Sequence, residues 1–443
     1  MHILSETENR TFMDILSDLI AIASVKGEPE AHAPYGAAPR AALQYFLDRA
    51  SSDGFITANI GDKAGYIQWG DHGPLLAVLA HLDVVPAGSG WNTDPFTLTI
   101  TDTHFIGRGI VDDKGPAVCA YMAMLRYREA HPNPDLRVRL VLGTDEEHGS
   151  SCMERYCETE ELPDIGFTPD AEFPCIFAEK GIYHMHFESE PSTDFTMKGG
   201  EAYNMVMPSC HCELNESGNT IETKGVQAHA SHPALGINAL DLMLNELSDD
   251  MVNRSPILSL IKKYFSSVAE TPFTSFFKED ISGSMTSNVG LVDINSKHGS
   301  VCVDIRFPVT IPEQEVREKL QQIASEFGIT AVDDNVQPPL FKEKDSQQIA
   351  TLTEIYDRYR SSCDCEPEDI ESKERSLAEP AKAIAIGGGT YARCMPNIVA
   401  FGPQLPWGED SCHQANEMIL KKNLYLLVPM YEEALEKLGN IVL

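Results

Sequence analysis

The sequence predicts a doubly wound α/β domain interrupted by an α+β insertion. Three observations carry that expectation. The apolar run Leu75-Leu76-Ala77-Val78-Leu79 follows the turn pair Gly73-Pro74 and reads as a buried strand delivering Ala80-His81-Leu82-Asp83 to its carboxyl end. On either side of it strand and helix patterns alternate, with polar clusters where strands end, as in open sheets whose sites lie at those ends. From about Tyr183 the texture changes to half-buried strands and further helices over about 160 residues, a normal domain size.

Each element has its own signal. Phe12, Ile15, Leu16, Leu19 and Ile22 recur at helical spacing. Gly27–Pro39, rich in Pro, Ala and Gly, reads as a loop, and Ala41–Ala50 returns to a helix with Leu43, Phe46 and Leu47 on one side. Short strands are expected near Phe55–Ile60 and Tyr66–Trp69, and another where Phe96, Leu98 and Ile100 alternate. Gly107-Arg108-Gly109-Ile110-Val111-Asp112-Asp113-Lys114-Gly115-Pro116 opens onto a helix from about Ala117 to Ala130, and Asp and Pro suit its N-terminus. Leu136–Leu142 is a strand ending in Gly143-Thr144-Asp145-Glu146-Glu147, and Phe167-Thr168-Pro169-Asp170-Ala171-Glu172 makes a further turn.

Within the insertion, His184–Glu188 and Val301–Arg306 read as strands and Glu313–Phe327 as a helix. Gly225-Val226-Gln227-Ala228-His229-Ala230-Ser231-His232-Pro233 precedes an apolar helix from Asn238. Thr351–Tyr359 is helical again, Ala383–Ile386 leads into Gly387-Gly388-Gly389-Thr390-Tyr391-Ala392-Arg393, and Glu409-Asp410-Ser411-Cys412-His413 precedes a terminal helix.

Composition narrows the function classes. At 443 residues the chain exceeds one ordinary core, so two domains are expected. A net charge of −33 argues against nucleic acid and anionic membrane as partners. The first ten residues hold no apolar stretch of the kind a signal peptide needs, and no apolar run approaches the roughly 18 residues of a membrane helix. Eleven scattered cysteines, with Cys210/Cys212 and Cys363/Cys365 lacking the spacing of zinc knuckles, suit idle thiols in a reducing cytosol.

Five segments each present a metal ligand: His81, Asp112, Glu147, Asp170 and His413. Mixed imidazole and carboxylate donors suit Zn²⁺, and also Mn²⁺ or Co²⁺. One carboxylate among five ligands can bridge two ions, lowering the pKa of a shared water and polarising a carbonyl. Glu146, beside a ligand without being needed as one, suits the base that moves the proton. Asp83 shares a face with His81 on extended backbone and can hold its ring in one tautomer. Taken singly, each of these residues is ordinary solvated charge; as a set their spacing is rare.

Ala-His-Leu-Asp-Val-Val-Pro, Gly-Arg-Gly-x-x-Asp-Asp-Lys-Gly-Pro, Gly-Thr-Asp-Glu-Glu and Thr-Pro-Asp-Ala-Glu-Phe-Pro together resemble the co-catalytic zinc peptidases. That group includes aminoacylase, carboxypeptidase G, succinyl-diaminopimelate desuccinylase and carnosinase. Gly387–Arg393 and Asn204 in Gly-Gly-Glu-Ala-Tyr-Asn-Met point to the bacterial β-Ala-Xaa dipeptidases. The resemblance runs over almost the whole length.

The resemblance implies a zinc-peptidase catalytic domain split as 1–182 and 345–443, with an inserted lid domain over 183–344. Asp112 would bridge two divalent ions, Zn²⁺ ahead of Mn²⁺ or Co²⁺, one also held by His81 and Asp170, the other by Glu147 and His413. Glu146 would be the general base, Asp83 would orient His81, and the Asp112–Asp113 bond would be cis. His229 would donate to the oxyanion, with His232 a decoy nearby. Arg306 would grip a substrate carboxylate, helped by Asn204 and by Gly388, Gly389 and Thr390; no Gly-Lys-Ser/Thr follows that loop, which disfavours a phosphate loop.

The activity implied is a cytoplasmic metal-dependent dipeptidase, cleaving small peptides with a free N-terminus by a two-metal-activated water. An enlarged lid implies a monomer, with a homodimer as the alternative. The nearest rival is an N-acyl-amino-acid deacylase or desuccinylase using the same site, and a rival of another class is an inactive metal- or peptide-binding homologue. Cys412, just before His413, fits no pattern.

Overall fold

The computed structural model describes residues 3–192, 194–266, 271–408 and 410–443. The chain forms two compact units, one of Met1–Phe177, Lys342–Ile384 and Thr390–Leu443, the other of Ala178–Phe341 with Ala385–Gly389.

The first unit is built on Leu75–His81, buried at every position, which explains an unbroken apolar run in place of alternation. It pairs in parallel with Arg137–Gly143 on one side and Ile165–Thr168 on the other, and Ile398–Ala400 continues in parallel beyond. Past Arg137–Gly143 the sheet turns antiparallel through Ala64–Trp69 and Ile56–Ile60. The parallel register sets His81 opposite Gly143 and Thr168 opposite Ala400. Asp83, Glu146, Glu147 and Asp170, which follow those residues, therefore leave the same edge of the sheet.

Helices Glu6–Ala21, Lys114–Ala130 and Lys421–Val442 pack together, the middle one touching both others. That helix is buried for most of its length. Gly115 permits its tight entry, since a Cβ there would sit 2.1 Å from the Ile110 carbonyl oxygen.

Two expectations need correcting. The second helix spans Ala37–Ser52 and so starts before Ala41, because Pro39 falls in its first turn, where a missing N–H forfeits no helical bond. The alternation of Phe96, Leu98 and Ile100 yields a strand only over Thr99–Ile100. Asp94 holds the preceding chain in a turn, its carboxylate accepting from Phe96 N–H and the Thr97 hydroxyl and its carbonyl from Thr97 N–H.

The second unit is an antiparallel sheet in the order Thr220–Lys224, Ser209–Leu214, Phe195–Gly199, Thr286–Ile294, Gly299–Phe307, Gly181–Ser189 and Thr330–Gln337. Its core sets Tyr183, Met185, Phe187, Val301, Val303 and Ile305 against apolar faces of Ala239–Glu246, Pro256–Tyr264 and Glu313–Glu326. No helix among the described residues is long and apolar enough to cross a membrane, and the cysteines are free thiols.

Candidate metal centre and active site

At the edge of the first unit's sheet two histidines converge on one carboxylate. His81 is fully buried; its Nδ1 lies 3.0 Å from the Asp83 carbonyl, its Nε2 2.8 Å from Asp112 Oδ1 and 3.7 Å from Asp170 Oδ2. His413 Nε2 lies 2.9 Å from Asp112 Oδ2 and 3.1 Å from Glu147 Oε2. Asp112 thus turns one oxygen toward each ring. His413 takes φ 62°, a left-handed backbone in which a non-glycine residue is held only by its surroundings.

This donor set fits a divalent cation. A carbonyl can only accept, so Nδ1 of His81 carries a proton, and in the neutral ring Nε2 presents its lone pair to a carboxylate. Two electron-rich groups face each other there, and a proton or a cation must lie between them. His81, Asp112 and Glu147 bring ligand atoms within 4.8 Å of one another, as do His81, Glu146 and Asp170. Glu147 Oε1 is buried with no hydrogen-bond donor among the described residues, and a cation is a partner that would satisfy it.

The same crowding shifts the protonation equilibria. Burial opposes charge on His81, but the carboxylates of Asp112, Asp170 and Asp83 around it outweigh it and hold the ring's pKa well above the usual value. Hydrogen bonds to Asp112 and Glu147 push His413 up to about 11. Burial and then the Asp170 charge push Glu146 far above the usual carboxylate range, against the pull of His81. Burial is also the main cause that raises Glu147 and Asp170. Asp112 goes the other way: burial opposes its charge, yet hydrogen bonds from His413 and His81 keep it low.

Asp83 reaches the centre differently from expectation. Its carbonyl is the nearer partner of His81 Nδ1, with its carboxylate 3.5 Å away. That carboxylate instead accepts the backbone N–H of Glu146 at 3.1 Å and of Glu147 at 3.2 Å, fixing the loop that carries both glutamates. The Asp112–Asp113 bond is cis, and buried Asp113 accepts the His81 N–H at 3.1 Å. Lys114 is buried as well; it donates to the carbonyls of Leu19 and Ile22, and burial lowers its pKa to about 7. Burial, then the charges of Asp112 and Asp410, push the Cys412 thiol up, so it is held protonated. Glu409 lies outside the described residues.

The second unit brings together another group. Ala230 N–H donates to the Asn204 carbonyl and Met205 bridges His229, so exposed Asn204 and His229 are neighbours. His229 Nδ1 lies 3.2 Å from the Ser231 N–H, which it accepts, leaving the ring proton on Nε2. Arg306 is buried, and its Nε and Nη2 grip the two oxygens of Asp304 at 2.6 and 2.7 Å. Its Nη1 faces the Gly387 carbonyl at 3.4 Å, beside Gly388 and Gly389. Asp304 also accepts from His184 Nε2 at 2.9 Å. Thr390 belongs to the first unit, where its hydroxyl oxygen accepts the Ala392 N–H.

Asp304, Asp113 and Glu417, whose buried carboxylate accepts four N–H groups near Asp112, were given no role from sequence. Asp304 had a local signal, since two residues along a strand put its side chain on the same face as Arg306.

Residues 77–437 match peptidase family M20/M25/M40. A Staphylococcus aureus (strain bovine RF122 / ET3-1) protein named "Putative dipeptidase" is 31% identical over 468 residues, covering 96% of each chain. The fold is similar to that of human carnosine dipeptidase 1, at 15% identity and a TM-score of 0.61 over 98% of this chain and 97% of that one. It is also similar to a Bacillus subtilis protein described as a dinuclear metal binding peptidase, at 11% identity and a TM-score of 0.52 over 99% and 100%. A match from the central strand to the last helix, with a relative aligned over nearly the whole length, leads to one conclusion: the chain belongs to peptidase family M20/M25/M40 and is a peptide-bond hydrolase.

Proposed function

We propose that this chain is a dipeptidase acting on peptides with a free N-terminus and a free carboxylate. The observation that carries the reading is Asp112, with one oxygen turned to His81 and the other to His413. His81, Asp112 and Asp170 would hold one divalent cation, and Asp112, Glu147 and His413 the other; imidazole with carboxylate suits Zn²⁺, with Mn²⁺ or Co²⁺ as substitutes. When bound, such a pair polarises the scissile carbonyl and brings the pKa of the attacking water toward neutrality.

The chain's own residues do the rest. Glu146 takes the water's proton and hands it to the leaving amine, a task suited to a carboxylate whose burial, and then the Asp170 charge, raise its proton affinity. Asp83 keeps His81 and the Glu146-Glu147 backbone in place. His229, protonated on Nε2, donates to the developing oxyanion. Arg306, with Asn204, Gly388 and Gly389 of the second unit, receives the substrate carboxylate. The free cysteines accord with work in a reducing cytoplasm, and the protein acts as a monomer.

The test is a substrate panel on apoprotein reconstituted separately with Zn²⁺ and Mn²⁺. Ala-Ala and β-Ala-His should be cleaved, while N-acetyl and N-succinyl amino acids should not. Cleavage of the N-acyl compounds alone would make the protein a deacylase. A metal-loaded sample that cleaves none of them would make it a binding homologue.

A further inference from the structure

Four N–H donors converge on a carboxylate outside the candidate ligand set. Glu417 is 0% exposed. Its Oε1 accepts the backbone N–H of Val111 at 2.8 Å and of Asp112 at 3.2 Å. Its Oε2 accepts Gly109 N–H at 3.0 Å and Arg108 Nη1 at 2.7 Å. Its own carbonyl accepts the Gly107 N–H at 3.0 Å, so the segment just after His413 is stitched along the whole approach to Asp112.

Arg108, 1% exposed, extends the stitch to a third segment. Its Nη2 lies 3.5 Å from the carbonyls of Pro86 and Ala87, and its guanidinium sits over the Trp91 ring at 5.3 Å. Those residues continue the chain that leaves His81 and Asp83. Three segments, carrying His81, Asp112 and His413, therefore meet at one buried ion pair.

The geometry points to Glu417, paired with Arg108, as the positioning residue that sets Asp112 to face two cations at once. A shared ligand must offer its oxygens in two directions, and the backbone beneath Asp112 is fixed by N–H groups bound to Glu417. An amide at this position would lose the charge that satisfies Arg108 and could turn an NH₂ toward N–H groups that need an acceptor. The inference rests on the reading of Asp112 as a shared ligand.

Calorimetric titration of apoprotein with Zn²⁺ and with Mn²⁺ tests it. Glu417→Gln should bind both equivalents about 10- to 100-fold more weakly, the range for residues that support metal ligands. The metal concentration that half-restores dipeptide hydrolysis should rise in parallel, while KM at saturating metal stays as in the wild type. Arg108→Lys should weaken binding in the same direction but less. Leu435→Ala, a cavity in the terminal helix at a residue that is not a candidate ligand, should lower the melting temperature and leave metal affinity unchanged.

Wild-type affinity for both equivalents in Glu417→Gln would overturn the inference, and so would an equal loss of affinity in Leu435→Ala. If Glu417→Gln fails to fold, Arg108→Lys decides by the same readout. Uptake of fewer than two equivalents by the wild type would overturn the shared-ligand reading together with this one. Two equivalents with unchanged affinity in Glu417→Gln would remove this one alone.

Discussion

At the scale of single residues the centre is a contest for protons. His81 donates its Nδ1–H to a carbonyl and aims its other ring nitrogen at Asp112, while Glu146, Glu147 and Asp170 crowd behind. Glu146 shares a ligand-distance group with His81 and Asp170, so a base and a ligand are separated by measurement and not by distance. Glu146→Gln should cut kcat by about 10²- to 10⁴-fold with both metal equivalents retained; loss of metal would make it a ligand instead. Arg306→Met should raise KM for dipeptides by about 10-fold or more with a smaller change in kcat, because a charge-assisted contact of roughly 1.5–3 kcal/mol is lost. An unchanged KM would leave Arg306 as a purely structural partner of Asp304. Among the candidate ligands, His81 was legible in the sequence at the end of a long apolar strand, and Asp112, Glu147, Asp170 and His413 in polar turns. The Asp83 carbonyl and Glu417 were not, since backbone acceptors carry no residue signature and Glu417 meets its partners only across some three hundred residues.

At the scale of elements, strands and helices were most legible where apolar spacing was long and uninterrupted, as in Leu75–His81, and least where a turn residue overrode alternation, as Asp94 does before Thr99. The first helix shows how such elements are tied to the site. Ser5 and Glu8 form a reciprocal cap, and Arg126 of Lys114–Ala130 donates to Glu8, locking two helices whose neighbouring segments hold Lys114 and Asp113. Burial alone would raise the Glu8 pKa, but the Arg126 bond and the Ser5 cap outweigh it and bring it down to about 2. A depressed folded pKa means that Glu8 stabilises the fold above its unfolded value of 4.5 and loses that contribution as pH falls through about 2. A shift of that size would be worth roughly 3 kcal/mol, but for a half-buried, solvent-screened carboxylate about 1 kcal/mol is expected. Glu8→Gln should therefore be less stable than wild type at pH 7 by about that amount in denaturant unfolding, with the gap closing between pH 4.5 and 2. A gap that persists at pH 2 would mean that shape, not charge, does the capping.

At the scale of the whole molecule, charge and architecture make one further demand. The chain carries a net charge of −33, and Asp112, Asp113, Glu146, Glu147 and Asp170 gather within its first unit. All five candidate ligands belong to that unit, although His413 comes from its last segment and the others from its first. A cation bound there stabilises only states in which those segments are together, so its binding free energy is added to the first unit's stability. At a free metal concentration 100 times Kd, one site is worth about 2.7 kcal/mol, or roughly a 100-fold change in the population of the open form. Hydrogen exchange with and without chelator should show that change in amides of Leu75–His81 and Arg137–Gly143. Amides of Gly181–Ser189 and Gly299–Phe307, which belong to the second unit's own core, should exchange at the same rate in both conditions. Equal acceleration in all four strands would mean that the two units open as one cooperative body, and protection confined to the second unit would place the cations elsewhere. Because binding requires the ligands to shed protons, the first unit's metal-dependent protection should also grow as pH rises from 5 to 8, a range below the raised pKa values of His81 and His413, in which an entering cation must displace the protons that Asp112 helps them keep.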